Sequence, residues 1–134
     1  MQKDKLTLQI SEARMAICRL PPDASLPGWI EEKDFVSLTR TPDELSIVCI
    51  EEWVPKEVEA ERNWRMIKVK GPLDFSLTGI LASLISPLSD AGIAIFALST
   101  YDTDYLLLKE GNLNRAISIL DRTCIIDKQR KKQK

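Results

Sequence analysis

The segment of residues 71–109 constrains the fold most, because one helical pattern in it precedes two strand-like runs joined by an acidic turn. Apolar residues recur there at spacings of three and four, as on one face of an amphipathic helix: Leu77, Ile80, Leu81, Leu84 and Leu88. Pro87 would bend this helix and Gly92 would end it. We therefore predict a helix over residues 77–91.

Short apolar runs with β-branched residues predict strands in the rest of the chain. In the first half these runs lie at residues 6–10, 14–20, 35–39 and 45–50, and in the second half at 63–70, 93–99, 105–109 and 124–126. A second helix, capped by Asn112, would bury Leu113, Ala116, Ile117 and Leu120. The predicted order in the second half is strand, helix, strand, strand, helix, strand.

A capped turn separates two of the predicted strands in the first half. Thr41 has the residue type of an N-cap, Pro42 follows it, and Glu44 would close a capping box with its side chain. The prolines and glycine of the preceding segment, PPDASLPGW, exclude a long helix there. The first half is thus predicted to be rich in strands, with abbreviated helices.

Composition excludes several classes of protein. The formal net charge of -1 gives no general attraction to nucleic acid or to anionic lipid. The absence of histidine removes the usual nucleophilic triads and the commonest transition-metal ligand. Neither a signal peptide nor a membrane-spanning run is present, so we expect a cytoplasmic protein. We also expect it to have no cofactor and no metal. The cysteines, Cys18, Cys49 and Cys124, lie in apolar runs and are predicted to be reduced core residues.

The predicted order of elements is that of the βαββαβ ferredoxin-like unit, in which helices cover one face of an antiparallel sheet. We predict an α+β protein with two such units, the first of them abbreviated. The predicted segments are an N-terminal unit at 1–54, a linker at 55–62, a C-terminal domain at 63–127 and a solvated, disordered basic tail at 128–134.

Four segments carry a resemblance to a known family: residues 35–40 (FVSLTR), 44–51 (ELSIVCIE), 69–81 (VKGPLDFSLTGIL) and 91–109 (AGIAIFALSTYDTDYLLLK). They resemble the paired ACT-domain proteins related to the arginine-sensing CASTOR proteins. The resemblance implies two ACT-like units and a regulatory protein that binds a small effector. It also implies that Gly79, Thr100, Tyr101 and Asp104 lie in or beside the effector site. An acidic residue of the arginine-binding relatives corresponds to Leu77, which favours a smaller or more apolar amino acid.

The residues themselves indicate two opposite poles for a zwitterion. Backbone N–H groups at the predicted helix start, from Leu77 to Gly79, would bind a carboxylate. The turn after Ser99 offers hydroxyls and two carboxylates for an ammonium group. The predicted ligand-binding residues are Asp74, Leu77, Thr78, Gly79, Ser99, Thr100, Tyr101 and Asp104.

Each of these features also has an explanation without a ligand. Asp74 would simply cap the helix, the aspartates would form a turn, and Tyr101 would be a packing aromatic. Asp102 and Asp104 would suit an acid/base pair, but no activated nucleophile or phosphate loop accompanies them. The alternative function is an interaction module that pairs through sheet edges or helices without an effector. Because ACT units commonly associate side by side, we expect a homodimer.

Overall fold

A computed structural model of the chain describes residues 6–31, 34–70 and 79–127. Within these ranges it has eight strands: β1 Thr7–Ile10, β2 Met15–Leu20, β3 Val36–Arg40, β4 Leu45–Ile50, β5 Ala60–Val69, β6 Phe96–Ser99, β7 Asp104–Lys109 and β8 Ile125–Asp127. The helices are α1 Ile80–Asp90 and α2 Leu113–Leu120, with short 3-10 turns at Glu51–Trp53 and Glu110–Asn112. All eight predicted strands and both predicted helices are present, although some bounds differ by up to three residues, and α1 begins at Ile80 rather than at residue 77. The predicted basic tail lies outside the described residues.

Contacts divide the chain into two compact units. The larger unit consists of Met1–Glu12 with Arg65–Lys134, and the smaller unit is Ala13–Trp64. Strand β5 contributes its first part to the smaller unit and its second part to the larger one. This grouping does not follow the predicted segments, since β1 belongs with the C-terminal residues and the predicted linker ends inside β5.

The larger unit has the ferredoxin-like α+β fold that the sequence predicts, with one strand added. Its strands lie in the order β8, β1, β5, β7, β6. β1 pairs antiparallel with β5 and parallel with β8, so this sheet is mixed and not purely antiparallel. The last strand therefore lies beside β1, whereas the sequence alone predicted a four-stranded sheet.

One apolar core joins the sheet of the larger unit to both of its helices. Leu8 of β1 is fully buried there, beside residues of β5, β7, α1 and α2: Ile67, Val69, Leu84, Leu88, Leu106, Leu108, Leu113, Ala116 and Leu120. The residues that β5 and β7 contribute to this core alternate along each strand, so they lie on the one face of the sheet that packs against both helices. Hydrophobic burial on that face is the main stabilisation of this unit.

The smaller unit is a sheet with its own, separate core. β3 pairs with β4, β4 with β2, and β2 with the first part of β5, all antiparallel. The buried residues are Ala16, Cys18, Leu45, Ile47, Cys49 and Val54, and loop residues including Trp29 and Trp53 pack on them. Residues 13–31 and 34–64 of this unit contain no α-helix, in agreement with the predicted abbreviation.

The structure refines two of the predicted caps. The Thr41 hydroxyl accepts hydrogen bonds from the backbone N–H groups of Asp43 and Glu44, at 3.1 and 3.2 Å, as predicted. However, the backbone carbonyl of Glu44, rather than its side chain, accepts from the Thr41 N–H at 2.9 Å. The turn therefore closes a hairpin and not a capping box. Asn112 is the N-cap residue of α2, as predicted, but its side chain makes no capping hydrogen bond.

The end of α1 agrees with the sequence. The helix continues through Pro87 to Asp90, and Gly92 follows with a φ of +79°. The N–H of Ile93 donates to the Leu88 carbonyl at 3.0 Å, which is the bond of a Schellman motif. Glycine suits this position because residues with a Cβ rarely adopt a positive φ.

The three cysteines are buried and free, which confirms that prediction. Cys18 and Cys49 lie on neighbouring strands of the smaller unit. A hydrogen bond between their thiols, together with burial, raises the pKa of Cys49, and the same bond lowers the pKa of Cys18.

Candidate functional site

The hairpin of β6 and β7 contains four of the predicted ligand-binding residues. Ser99 and Asp104 form its last cross-strand pair, and residues 100–103 connect the strands. The Ser99 hydroxyl donates a hydrogen bond to Asp104 Oδ1 at 2.6 Å. A carboxylate has about four acceptor positions, so this one bond orients Asp104 without saturating it.

Thr100 and Thr103 fix the conformation of the connecting turn. The Thr100 N–H donates to the Thr103 carbonyl at 2.8 Å. The Thr103 N–H donates in return to the Thr100 hydroxyl at 3.3 Å. Thr100 therefore has a structural part in the turn, in addition to the ligand contact that the sequence predicts.

Thr103 anchors this turn to the core of the larger unit, and the sequence did not single it out. It is 4% exposed, and its hydroxyl donates to the Val69 backbone carbonyl at 2.6 Å. Val69 is the last residue of β5, from which the chain continues towards α1. The bond thus holds the acidic hairpin against the end of the strand that leads to the other predicted pole.

Tyr101 lies on the surface of this chain. Its side chain is 83% exposed, so the alternative of a core-packing aromatic is wrong. Tyr101 lies between Thr100 and Asp102 in the connecting turn.

Gly79 precedes the first residue of α1, with a φ of +78°. Its carbonyl accepts the N–H of Ser83 at 2.9 Å, the first bond of the helix. The N–H groups of the first helical turn, beginning at Ile80, have no intrahelical acceptor and carry the positive end of the helix dipole. The helix thus begins at Ile80, and the predicted binding residues Asp74, Leu77 and Thr78 lie outside the described residues.

The structure brings Ser99, Thr100, Tyr101 and Asp104 together in one hairpin. It places Gly79 in the same unit, at the start of α1. Their joint use as a binding site stays a prediction, because the segment that would complete it, residues 71–78, is not described.

Tyr105 follows Asp104 in β7, and the pKa of its phenol is raised above the usual value. Burial raises the pKa of its phenol, and the negative charge of Asp102 raises it further. Both causes favour the neutral phenol over the phenolate.

We expect the titration of Tyr105 to confirm this. In a Tyr101→Phe variant, Tyr105 is the remaining tyrosine, and its ultraviolet titration midpoint should lie above about 10, the usual phenol value. Adding Asp102→Asn should lower the midpoint in part. Since the folded pKa is raised, the stability from neutral Tyr105 is complete below about 10 and is lost as the pH rises through the folded value. A midpoint at or below 10 would contradict this assignment.

A concavity lies in the smaller unit, away from the predicted ligand-binding residues in sequence. It encloses about 220 Å³ between β2, β4 and the start of β5. Arg19, Glu44, Glu59 and Glu61 are among its lining residues. Arg19 Nε lies 3.9 Å from Glu44 Oε1, so part of this charge is compensated within the chain.

The described residues also bear on metal binding and on membrane insertion. Across residues 6–31, 34–70 and 79–127, no cluster of three or more Cys, Asp or Glu side chains has the arrangement of a metal site. Nor is any helix in this part of the chain long and apolar enough to cross a membrane.

Comparisons with family models agree with the two-unit organisation. A model of the ACT domain matches residues 59–122, and a model of an N-terminal domain matches residues 14–57. These matches and the ferredoxin-like sheet show that this chain has the ACT fold.

Individual proteins match longer parts of the chain than either family model does. The bovine protein named cytosolic arginine sensor for mTORC1 subunit 1 is 33% identical over 99 residues, which cover 66% of this chain but 30% of the bovine protein. A crystal structure of an Agrobacterium tumefaciens protein is 36% identical, with a TM-score of 0.89, and the alignment covers 98% of this chain and 99% of that one. Residues 59–122 thus form an ACT domain, and the chain is related to the CASTOR-type proteins.

A more distant structure shows the fold alone. The regulatory subunit of aspartate kinase from Thermus thermophilus, in its ligand-free form, has a TM-score of 0.58 at 10% identity. The alignment covers 87% of this chain and 95% of that subunit.

Proposed function

We propose that this chain is a regulatory protein that binds an amino acid without transforming it. The observation that carries the proposal is the carboxylate of Asp104, which the Ser99 hydroxyl orients at 2.6 Å on a hairpin anchored by Thr103. A fixed, partly satisfied carboxylate suits an ammonium group, because charge-assisted hydrogen bonds are about twice as strong as neutral ones.

The opposite pole of the ligand would lie at the start of α1. There the first N–H groups of the helix favour an anion, and Gly79 lets a ligand approach the backbone closely. Asp74, Leu77 and Thr78 would complete the site, with Thr100 and Tyr101 beside the ammonium group. The apolar Leu77 favours an amino acid smaller or more apolar than arginine.

One relative supports a regulatory role by what its name says of it. The bovine protein is named an arginine sensor. The absence of histidine is in keeping with binding rather than catalysis, since it excludes the usual nucleophilic triads. We further propose a cytoplasmic homodimer.

A thermal-shift screen of the twenty amino acids tests the proposal. A ligand that binds only the folded state stabilises it by about 2.7 kcal/mol at 100 times its dissociation constant. One or a few amino acids should therefore raise the melting temperature, with affinity then measured by calorimetry.

The Asp104→Ala variant should abolish that shift, because it removes the charge that binds the ammonium group. Asp102→Ala is the matched control, since it makes the same change two residues away in the same hairpin and should keep the response. Asp104→Asn keeps the shape of the side chain but not its charge, and should also lose the shift. A full response in the Asp104 variants would remove this residue from the site.

The second candidate function is an interaction module. The observation in its favour is β3, an exposed strand at the edge of the smaller unit. No response to any amino acid, together with self-association through that edge, would favour this function over the sensor.

A further inference from the structure

Cys18 of β2 and Cys49 of β4 lie diagonally to each other in the core of the smaller unit. Cys18 pairs with Ile47 and Cys49 with Ala16, so the two cysteines are offset by two residues across one ladder. All four side chains belong to the same apolar core, which places both thiols on one face of the sheet. The hydrogen bond between the two sulfur atoms brings the side chains into contact.

The two thiols are not equivalent, because the Cys49 thiol donates this hydrogen bond to the Cys18 sulfur. The bond lowers the pKa of Cys18, burial raises it, and the positive charge of Arg62 lowers it again, with a lowered pKa as the result. The same bond and burial raise the pKa of Cys49. Since the thiolate is the form that attacks an oxidant, Cys18 is the nucleophile of the pair and Cys49 is the thiol placed to react next.

Arg62 also connects the thiols to the segment that covers them, residues 51–59. Its Nη2 donates to the backbone carbonyls of Pro55 and Val58 at 3.0 and 3.1 Å. Val54 of this segment is buried in the same core as both thiols, and Val58 packs against that core. The segment has a three-residue 3-10 turn as its regular structure, and such segments open locally at a lower free energy than strands. Local opening there would admit a small oxidant while the sheet stays folded.

We propose that Cys18 and Cys49 form a peroxide-sensitive pair, whose oxidised state is a disulfide between β2 and β4. The Cys18 thiolate attacks one oxygen of hydrogen peroxide, and the hydroxide that leaves takes up the proton that Cys18 had released, giving water. Cys49 then loses its proton, and its sulfur displaces hydroxide from the sulfenic acid of Cys18, which forms the disulfide and a second water. In total, two thiols are oxidised to one disulfide and one peroxide is reduced to two waters.

The diagonal register makes this disulfide a strained one. Diagonal neighbours on paired strands have Cα atoms about 7–8 Å apart. Most disulfides join Cα atoms about 4.4–6.8 Å apart, so β2 and β4 must shift locally when the bond forms. Strained disulfides are reduced more easily than relaxed ones. The oxidised state is therefore reversible by cellular thiols, and it distorts two paired strands of the smaller unit.

Peroxide treatment of the folded chain, followed by quenching, denaturation and peptide mass spectrometry, tests the proposal. The Cys18–Cys49 disulfide should form first, and Cys124 should react at least about tenfold more slowly, because local opening costs less free energy than global unfolding. Cys124 is the internal control, since it is also buried but belongs to the larger unit. Absence of the disulfide, or equal reaction rates for all three cysteines, would overturn the proposal.

Alanine variants then separate the roles of the two thiols. In Cys49→Ala, peroxide should leave Cys18 as a sulfenic acid that dimedone labels, because the thiol that would react next is absent. Cys124→Ala should form the disulfide at the wild-type rate. Reduced glutathione should restore both thiols of the oxidised wild-type chain. An oxidised chain that resists glutathione, or a folded Cys49→Ala variant that dimedone does not label, would contradict the assigned roles.

Discussion

Replacing Leu8 by alanine should destabilise the protein by about 2–5 kcal/mol, the cost of removing a large buried side chain from a packed core. Leu8 is fully buried in the core of the larger unit although it lies near the start of the chain. It pairs with Val69 of β5 on one side and Ile126 of β8 on the other. Its truncation therefore leaves a cavity at the junction of three strands.

Urea denaturation, followed by circular dichroism, measures this effect. The control is Leu26→Ala, which removes the same atoms from a side chain that is 49% exposed and should change stability by about 0.5 kcal/mol or less. If Leu8→Ala cost no more than this control, β1 would not be an integral part of the larger unit.

The case of Leu8 shows which part of the fold the sequence could predict. The existence of β1 was predictable, since an apolar run with a β-branched residue is a local signal. Its partners were not, because they lie about sixty residues and more away along the chain and no local pattern specifies such a pairing. The insertion of β1 between β5 and β8 therefore escaped the predicted strand order.

The candidate site also has one part that the sequence could predict and another that it could not. The hairpin was predictable from its two apolar runs and from the cluster of Thr, Asp and Tyr between them. The buried bond from Thr103 to Val69 was not, because a threonine in a polar turn gives no signal that its hydroxyl will meet the end of another strand. The missing side-chain bonds at Glu44 and Asn112 have a similar cause, since residue types suited to a cap do not determine which atom makes the bond.

The second large effect is expected from Thr103→Val, which keeps the shape of the side chain but removes its hydroxyl. Thr103 is 4% exposed, so the Val69 carbonyl would lose its partner in a place where water is largely excluded. An unsatisfied buried polar group costs about 1–3 kcal/mol, and we expect the free energy of unfolding to fall by this amount. Thr123→Val is the control, because Thr123 is exposed and the same change there should be nearly neutral.

The same variant links stability to the proposed function. β7 would still pair with β5, but without the bond from Thr103 to Val69 the turn between Ser99 and Asp104 would be held less tightly against the end of β5. We therefore expect Thr103→Val to weaken amino-acid binding as well, even at temperatures where the chain stays folded, because a mobile carboxylate must be ordered when the ligand binds. Calorimetric titration of the folded variant would measure this. Unchanged affinity with lowered stability would confine Thr103 to a structural role and would place the ligand elsewhere than against this hairpin.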